Sequence, residues 1–570
     1  MKRISIFTLL TCCIALMVSA QPKFASKVSK GIVSLNTYDR QGNLLHQGTA
    51  FYVGADGEAI ADYRLFKNAY QATVIDASGK QTDVDCILGA DDTYSLVRFR
   101  VNTKGNAVIP SVTAVQPMKS TFFVLGRSEK GAMESAQATV ADTSLIQGKY
   151  AYYGLDAQVD DALIGAPVFN QSGALVGILH PQLGNRNYVL DIRFKDELKM
   201  AAFPSNSASV ALGNIFIPKA LPESSEEALV YLYTKSRSAS NEEYMDMVNR
   251  FVATYPKIAE GYLRRATPLI DLARFDEADR DLQQYLSLVE DKAFGNYNVA
   301  SLIFDKLRLQ PEPAYEKWNE DVAIQYVDKA IAIHAAQPAS DVKKSEENEF
   351  RILKAQILMQ KKDFDGALTI YEALNEEASG SPVYLYAISL AREKRGDSIE
   401  AVMEPIDSAI AKFGTPMPKE AASYIIRRGQ LYANAGKYRE AVLDYNQYAY
   451  LLNNQVSPIF YYERSQIEVN ARMYQQALED INKAIQLEPR EPLYYVEKGA
   501  IAVRVSLFDD CIEACQTALQ LNPNIIDAYR ILGYAQLQKG DKASARQNLQ
   551  KAIDMGDEAA RMLMNTYLAQ

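Results

Sequence analysis

The sequence predicts a multidomain chain in which an all-β N-terminal region precedes an all-α solenoid of stacked helix pairs. Three observations predict it. Short runs rich in Val, Phe and Tyr, cut by Gly and Asp turns, fill residues 28–196. Beyond residue 223 the apolar period becomes helical and stays so. Within that helical part small residues recur at Ala441, Ala477, Cys511 and Ala545, spaced by 36, 34 and 34. One such unit cannot bury its own apolar faces, so units stack.

The chain begins with a targeting pattern. Lys2 and Arg3 are followed by the largely apolar run Ile4–Val18, and Val18-Ser19-Ala20 supplies small residues before Gln21. This predicts an export signal over 1–20, cleaved after Ala20. The run is short for a membrane anchor. Lipoprotein processing at Cys12 or Cys13 is the alternative, with Thr11 bulkier than that motif prefers. With Gln21 after the cut, the signal resembles those of exported proteins of the Bacteroides group. The expected location is the periplasm or the outer membrane, with a lipoprotein or a secreted protein as alternatives. No later apolar run approaches the length of a membrane span, so no transmembrane segment is expected in the mature chain.

At 570 residues the chain is too long for one core. Hydrophobic residues at 48% and charged residues at 23% fit globular protein, not disorder. A formal charge of −9 gives no general attraction for phosphate backbones, so nucleic acid is excluded as a partner. Cys86, Cys511 and Cys515 remain after the signal, too sparse for a disulfide framework. His46, His180 and His334 are far apart and stand in no ligand-spacing motif, so neither metal nor cofactor is expected.

The strand-like runs include Gly31–Leu35, Thr49–Val53, Ala72–Ile75 and Leu96–Val101, with turns at Asp39–Gly42, Asp56-Gly57 and Ser78-Gly79. Many short strands with regular turns argue for a barrel or a sandwich. Residues 201–223 contain Pro204, Pro218 and Pro222 among Ser and Ala, which reads as a linker or docking segment. The expected domains are thus 21–200, the linker 201–223, and the solenoid 224–570.

In the repeats, Tyr445, Ile481, Cys515 and Leu549 stand four residues after the small positions, and Tyr448, Ala484, Ala518 and Ala552 three further on. Gly429, Ser465, Gly499 and Gly533 lie earlier in the same units, and Pro489 and Pro523 close two of them. A small residue lets the neighbouring helix approach, and the larger one at i+4 shares its face. This pattern resembles the tetratricopeptide (TPR) repeat. Four units from Ala422 to Asp557 are clear. Phe364, Ala367, Tyr371 and Leu374 mark another, and Phe275, Ala278, Leu282 and Tyr285 one more. Weaker candidates at 226–255, 294–336 and 382–414 bring six units to nine. Pro405 is expected to kink its helix, and residues 558–570 read as a capping helix. Cys511 and Cys515 could ligate a metal at i, i+4, but they occupy the core positions of their unit and read as buried thiols. The TPR resemblance implies a concave face lined by each first helix, here by Ile426, Gln430 and Asn434; Tyr462, Gln466 and Asn470; Val496, Ala500 and Arg504; and Arg530, Tyr534 and Gln538. Asn434, Asn470, Arg504 and Gln538 are equivalent and form a polar row, with Arg504 and Arg530 able to make charge-assisted bonds. The plainer reading is a solvated surface.

Residues 48–179 resemble trypsin-like proteases of the HtrA (Deg) type. Gly48-Thr-Ala-Phe51 is similar to a Gly-Ser-Gly-Phe strand. Asp56–Ala69, D-G-E-A-I-A-D-Y-R-L-F-K-N-A, is similar to D-G-x-I-x-T-N-x-H-V-V-x-x-A. Asp91–Val97 looks like D-x-x-x-D-L-A. Asp156–Ile178, D-A-Q-V-D-D-A-L-I-G-A-P-V-F-N-Q-S-G-A-L-V-G-I, is similar to the segment around the nucleophile, D-A-x-I-x-x-G-N-S-G-G-P-V. The resemblance implies a two-barrel fold. It places the histidine position on Arg64, the aspartate on Ser95, the serine on Ile164, and the glycine two before that serine on Ala162. Arginine stays protonated and cannot act as a base, isoleucine has no nucleophile, and Tyr63 is a weak substitute base. His46 and His180 are expected at the surface or at strand ends.

The sequence therefore predicts a non-catalytic, exported scaffold. Its solenoid would hold a protein or peptide of the cell envelope, with the inactive barrels as a platform or as an edge that accepts a peptide strand. The alternatives are a serine endopeptidase with an unconventional site and an envelope sensor whose barrels capture peptide ends.

Overall fold

The computed structural model describes residues 21–128, 131–337 and 341–568. The export signal expected at 1–20 lies outside the described residues. Two compact units divide after Val289.

The first unit opens with a short helix α1 (Ala25–Val28) and two six-stranded antiparallel barrels. The first barrel comprises β1 (Ile32–Tyr38), β2 (Leu44–Tyr52), β3 (Glu58–Asp62), β4 (Gln71–Ile75), β5 (Gln81–Asp91) and β6 (Leu96–Val101), in the closed order β1-β2-β3-β6-β5-β4. The second comprises β7 (Thr121–Arg127), β8 (Met133–Ile146), β9 (Tyr150–Leu155), β10 (Pro167–Phe169), β11 (Leu175–Leu183) and β12 (Arg186–Asp191), in the closed order β10-β11-β12-β9-β8-β7. Closure removes the exposed edges that short strands would otherwise present. The strand period of two sorts the side chains. Val33, Leu35, Ala59, Ala61, Val97 and Phe99 fill the first barrel. Their strand neighbours Ile32, Ile60 and Leu96 point outward and pack with Leu125, Phe169 and Ile178 of the second. Phe122, Val124, Tyr153 and Val168 fill the second barrel itself.

The stretch 201–223 is folded against the first barrel. Helix α2 (Asn206–Gly213) contributes Ala211 to the first barrel's core, and Ile215 and Ile217 follow it there. Next, Ile87 N–H donates to Pro218 O and Ala220 N–H to Ile87 O, both at 2.8 Å, adding a short parallel strap beside β5. Four helices complete the unit: α3 (Ser225–Lys235), α4 (Asn241–Thr254), α5 (Ala259–Asp271) and α6 (Phe275–Leu288). Ser240 and Glu243 form a reciprocal capping box at the start of α4.

The second unit is helical. It contains α7 (Lys292–Leu309), α8 (Glu320–Ala335), α9 (Asp341–Lys361), α10 (Phe364–Glu377), α11 (Pro382–Arg395) and α12 (Ile399–Ile410). Then come α13 (Ala422–Asn434), α14 (Tyr438–Leu451), α15 (Pro458–Asn470), α16 (Tyr474–Leu487), α17 (Pro492–Arg504) and α18 (Phe508–Leu521). The described chain ends with α19 (Ile526–Gln538), α20 (Lys542–Asp554) and α21 (Glu558–Leu568). Helix pairs cover the three weaker candidate repeats as well as the clear ones, and α12 runs through Pro405 as one element. The glycines of the repeat make room for one large side chain each. A Cβ on Gly429 would stand 2.9 Å from the Tyr445 ring, on Gly499 2.6 Å from Cys515 Sγ, and on Gly533 2.8 Å from Leu549 Cγ. Ion pairs tie first helix to second within repeats: Arg265 to Asp281 in the first unit, and Arg428 to Asp444 and Arg464 to Asp480 in the second. Each is a two-bond fork spanning sixteen residues.

Candidate functional site

Between the two barrels lies a cleft of about 970 Å³, lined among others by Arg64, Leu65, Arg127, Asp161, Ala162 and Ile164. The three positions that the protease resemblance assigns to the triad converge near it, around Asp62. This carboxylate ends β3 and is almost wholly buried. Its Oδ1 accepts from Arg64 N at 2.8 Å, from Arg64 Nε at 2.9 Å and from Ser95 Oγ at 3.0 Å, and its Oδ2 accepts from Arg64 Nη2 at 2.7 Å. These bonds raise the proton affinity of the guanidinium further. Gly165, at φ +83°, brings the loop after Ile164 against the same residue, and a Cβ there would lie 3.1 Å from Asp62 Cβ.

Arg64 is a brace, and the second barrel repeats the device. At the end of β12, Asp191 accepts from Arg193 N and Arg193 Nε at 3.0 Å, again across one intervening residue and into a 3₁₀ turn. In a serine hydrolase, backbone N–H groups of the nucleophile and of the residue two before it hold the oxyanion. Here Ile164 N–H donates to Asp161 O at 3.1 Å, and Ala162 N–H to Asp160 Oδ1 at 2.9 Å. Both donors are engaged by the 3₁₀ turn Asp161–Leu163. Arg127, also in the cleft wall, is buried and satisfied by carbonyls of Ile32 at 2.7 Å, Gly131 at 2.9 Å and Ser29 at 3.1 Å.

One expectation is corrected here. His180, placed at the surface or a strand end from sequence, is buried within β11. Its Nδ1 lies 3.2 Å from Tyr152 Oη, and its Nε2 has no partner. Burial pushes its pKa down to about 4, against the opposing charge of Asp62, so the ring is neutral at ordinary pH. His46 is exposed on β2.

The second unit has its own groove, of about 640 Å³, on the face formed by α7, α9 and α11. Tyr297, Ser301 and Asp305 line it from α7, and Ile352, Gln356 and Gln360 from α9. Counted from the buried small residues Ala355 and Gly429, the α9 trio holds the places that Ile426, Gln430 and Asn434 hold in α13. The face expected from sequence for α13 is therefore the face that lines this groove on α9, with α7 and α11 of two weaker candidate repeats on either side.

The residues expected from sequence fall as follows. Asn434, Asn470, Arg504 and Gln538 are each the last residue of their helix, and all four are exposed, as is Gln430. Tyr462 and Gln466 are half-buried and joined by a bond from Gln466 Nε2 to Tyr462 Oη at 2.9 Å. Arg504, Arg530 and Tyr534 meet around a smaller pocket of about 220 Å³ with Ala500 and Leu563. Arg530 is already paired with Asp557 at 2.8 Å and with Asp527, whereas Arg504 Nη1 donates only to Ala500 O at 2.7 Å. Among the described residues no cluster of three or more His, Cys, Asp or Glu could hold a metal. Cys511 and Cys515 are buried with their sulfurs 4.0 Å apart, and the contact with Cys511, followed by burial, holds the Cys515 thiol well above its usual range.

Fold and sites together define a multidomain chain with two antiparallel barrels ahead of a TPR-type solenoid, the class of repeat that contacts other proteins. Comparisons with known proteins agree for the solenoid. Residues 496–561 match the tetratricopeptide repeat family. The DnaJ protein P58IPK homolog of Arabidopsis thaliana is 25% identical over 126 residues, which are 22% of this chain and 24% of that protein. The chain thus spans about a quarter of that relative's length. Among solved structures, the serine endoprotease from Yersinia pestis aligns with 30% of this chain and 62% of its own, at 15% identity and a TM-score of 0.27. The Rv3671c protease from M. tuberculosis aligns with 35% of this chain and 87% of its own, at 13% identity and a TM-score of 0.28. No helix among the described residues is long and apolar enough to cross a membrane.

Proposed function

We propose that the protein is an exported, non-catalytic scaffold whose solenoid holds a protein or peptide segment, with the barrel pair as its platform. The observation that carries the binding half is the groove of α7, α9 and α11. Its wall mixes apolar side chains such as Ile352, Leu353 and Met359 with the polar ends of Gln356, Gln360 and Arg308, the composition that suits an extended peptide. The pocket of Arg504 and Tyr534 offers a second contact, where Arg504 has no carboxylate within ion-pair distance among the described residues and feels Glu497 only at longer range. Non-catalytic status is supported by the brace at Asp62–Arg64 and by Ile164 in the nucleophile position. Export follows from the signal pattern of residues 1–20 and makes an envelope protein the expected partner.

Two experiments test the reading. The protein, tagged at its C-terminus, is crosslinked in its native cell beside variants Ser301→Arg with Gln356→Arg, Asn470→Asp with Arg504→Glu, and a deletion of 21–200. A discrete partner lost in a groove variant supports the scaffold. A partner lost only with the barrels moves the binding site to the N-terminal region and removes the groove assignment. Separately, a fluorophosphonate probe that labels the native protein would show a reactive serine and end the non-catalytic reading.

A further inference from the structure

The first unit holds another pocket, of about 450 Å³, that shares no lining residue with the cleft. Four elements wall it: β5 and β6 with Asp85, Arg98 and Arg100 on their outer side, the strap with Glu223 at its end, and α4 with Arg250, Tyr255 lying just beyond it. The strand period explains the two neighbouring arginines. Phe99 and Val101 face the barrel core, so residues 98 and 100 must face out together. A β-bulge opposite Arg100, between Val84 and Cys86, leaves Asp85 as the extra residue on β5.

Three guanidinium groups meet here, with the carboxylates of Asp85 and Glu223 in the wall and those of Glu58 and Asp246 behind Arg98 and Arg250. Two of the three are held in place. Arg98 Nε donates to Glu58 Oε1 at 2.8 Å and its Nη1 to Leu198 O at 3.3 Å. Arg250 Nε donates to Asp246 Oδ2 at 2.9 Å and its Nη1 to Asp85 Oδ1 at 3.4 Å. In each, the Nη2 amino group has no acceptor among the described residues. Arg100 is exposed and has neither an ion pair nor a hydrogen-bonded acceptor for its guanidinium among them. The Tyr255 hydroxyl is spent on the carbonyls of Pro222 and Glu223, at 3.0 and 2.9 Å, which fixes the strap over the pocket. Burial pushes the Cys86 thiol in the wall up to about 12, so it adds no negative charge. Arg98 and Arg250 are thus immobilised by carboxylates and each keeps one amino group unused, while Arg100 has no acceptor at all among the described residues. A fixed guanidinium loses little further freedom on binding an oxyanion.

We propose that this pocket binds a small multivalent oxyanion, a phosphate or a polycarboxylate, which joins β6, the strap and α4. The ligand would act as a brace between the first barrel and the first helix pair. It requires no nucleic acid and no contact with the cleft.

The test uses the full mature chain, titrated separately with inorganic phosphate, pyrophosphate and citrate, with chloride added to match ionic strength. Thermal unfolding and amide exchange at 218–223 are the readouts. The expected result is a saturable rise in unfolding temperature with slower exchange at Ala220, whose N–H bonds Ile87. Arg100→Ala should weaken binding about tenfold, Arg100→Lys less, and Arg64→Ala in the cleft not at all. Response to the phosphates alone or to citrate alone identifies the source of the oxyanion, and either supports the site. No saturable response to any of the three, or one undiminished in Arg100→Ala, overturns it.

Discussion

Glu468 offers the sharpest test of the solenoid's energetics. It lies on α15 and is 3% exposed. Its Oε2 has no hydrogen-bond partner, and its Oε1 stands 4.0 Å from Arg464 Nε. Arg464 cannot neutralise it fully, because its fork is committed to Asp480 at 2.5 and 2.8 Å. Burial first, then the Asp480 charge, push the Glu468 carboxyl from the ordinary 4.5 up to about 8, with Arg464 opposing. An acid with a raised native pKa binds its proton more tightly folded than unfolded. Its contribution is therefore fully present below about pH 4.5, falls as pH rises, and is lost by about pH 8. Each tenfold step in proton affinity is worth about 1.4 kcal/mol, so the loss is on the order of 5 kcal/mol at most, and about 2 if Arg464 shifts toward the ionised carboxylate. Glu468→Gln keeps the shape and abolishes the titration. Urea unfolding followed by circular dichroism, with amide exchange on α15 and α16, should show the variant equal to the parent near pH 4 and more stable by about 2–5 kcal/mol near pH 8. Parallel stability curves for the two proteins across that range would refute the reasoning.

The remaining predictions concern packing and the cleft. Gly499→Ala puts a Cβ 2.6 Å from Cys515 Sγ and should cost about 1–3 kcal/mol. Adding Cys515→Ala should cost less than it does alone, and strictly additive costs in a double-mutant cycle would contradict the contact. Asp62→Ala strands Arg64 and Ser95 beside the cleft and should lower stability by about 1–3 kcal/mol, whereas Arg64→Ala, half-exposed at its outer end, should cost less; the two are compared by thermal unfolding. Cys86, Cys511 and Cys515 are all buried, so a thiol reagent should modify none of them in native buffer and all of them in denaturant; fast labelling of the native protein would show that the repeat around Cys511 opens.

Much of this architecture was legible because the residues that define it do one job each. Gly499 and Cys515 are sixteen residues apart for the same reason as Gly429 and Tyr445: one helix must come close and the other must fill the space. The strands were legible where apolar residues alternated, as at Leu96–Val101. The stretch 201–223 was harder, since its Pro, Ser and Ala suggest a loop. The signal was present in Ile215 and Ile217, which alternate around an exposed Phe216 and reach the first barrel's core. Asp62 was missed because the protease pattern drew attention to Arg64. The spacing Asp-x-Arg, repeated at Asp191–Arg193, would have exposed it as a capped turn. His180 was misplaced because nothing local in the sequence reports that Tyr152 and Tyr188 cover its strand.

The groove teaches a different lesson about where function can be read. The TPR signature is written mainly in residues that face between helices, as Gly429 does against Tyr445, although Tyr371 also reaches the groove wall. The proposed ligand would meet chiefly the positions one residue further round the first helix, Gln356 in α9 and Gln430 in α13. Those positions are not constrained by stacking, so a repeat with a strong signature has no greater claim to hold a ligand than a weak one. Here the larger groove opens where Ser301 on α7 lies across from Gln356 and Ile352 on α9, joining a weaker candidate repeat to a recognised one. Were the clear repeats the main site, Asn470→Asp with Arg504→Glu would remove the partner while Ser301→Arg with Gln356→Arg left it bound. The groove geometry requires the reverse order of effects.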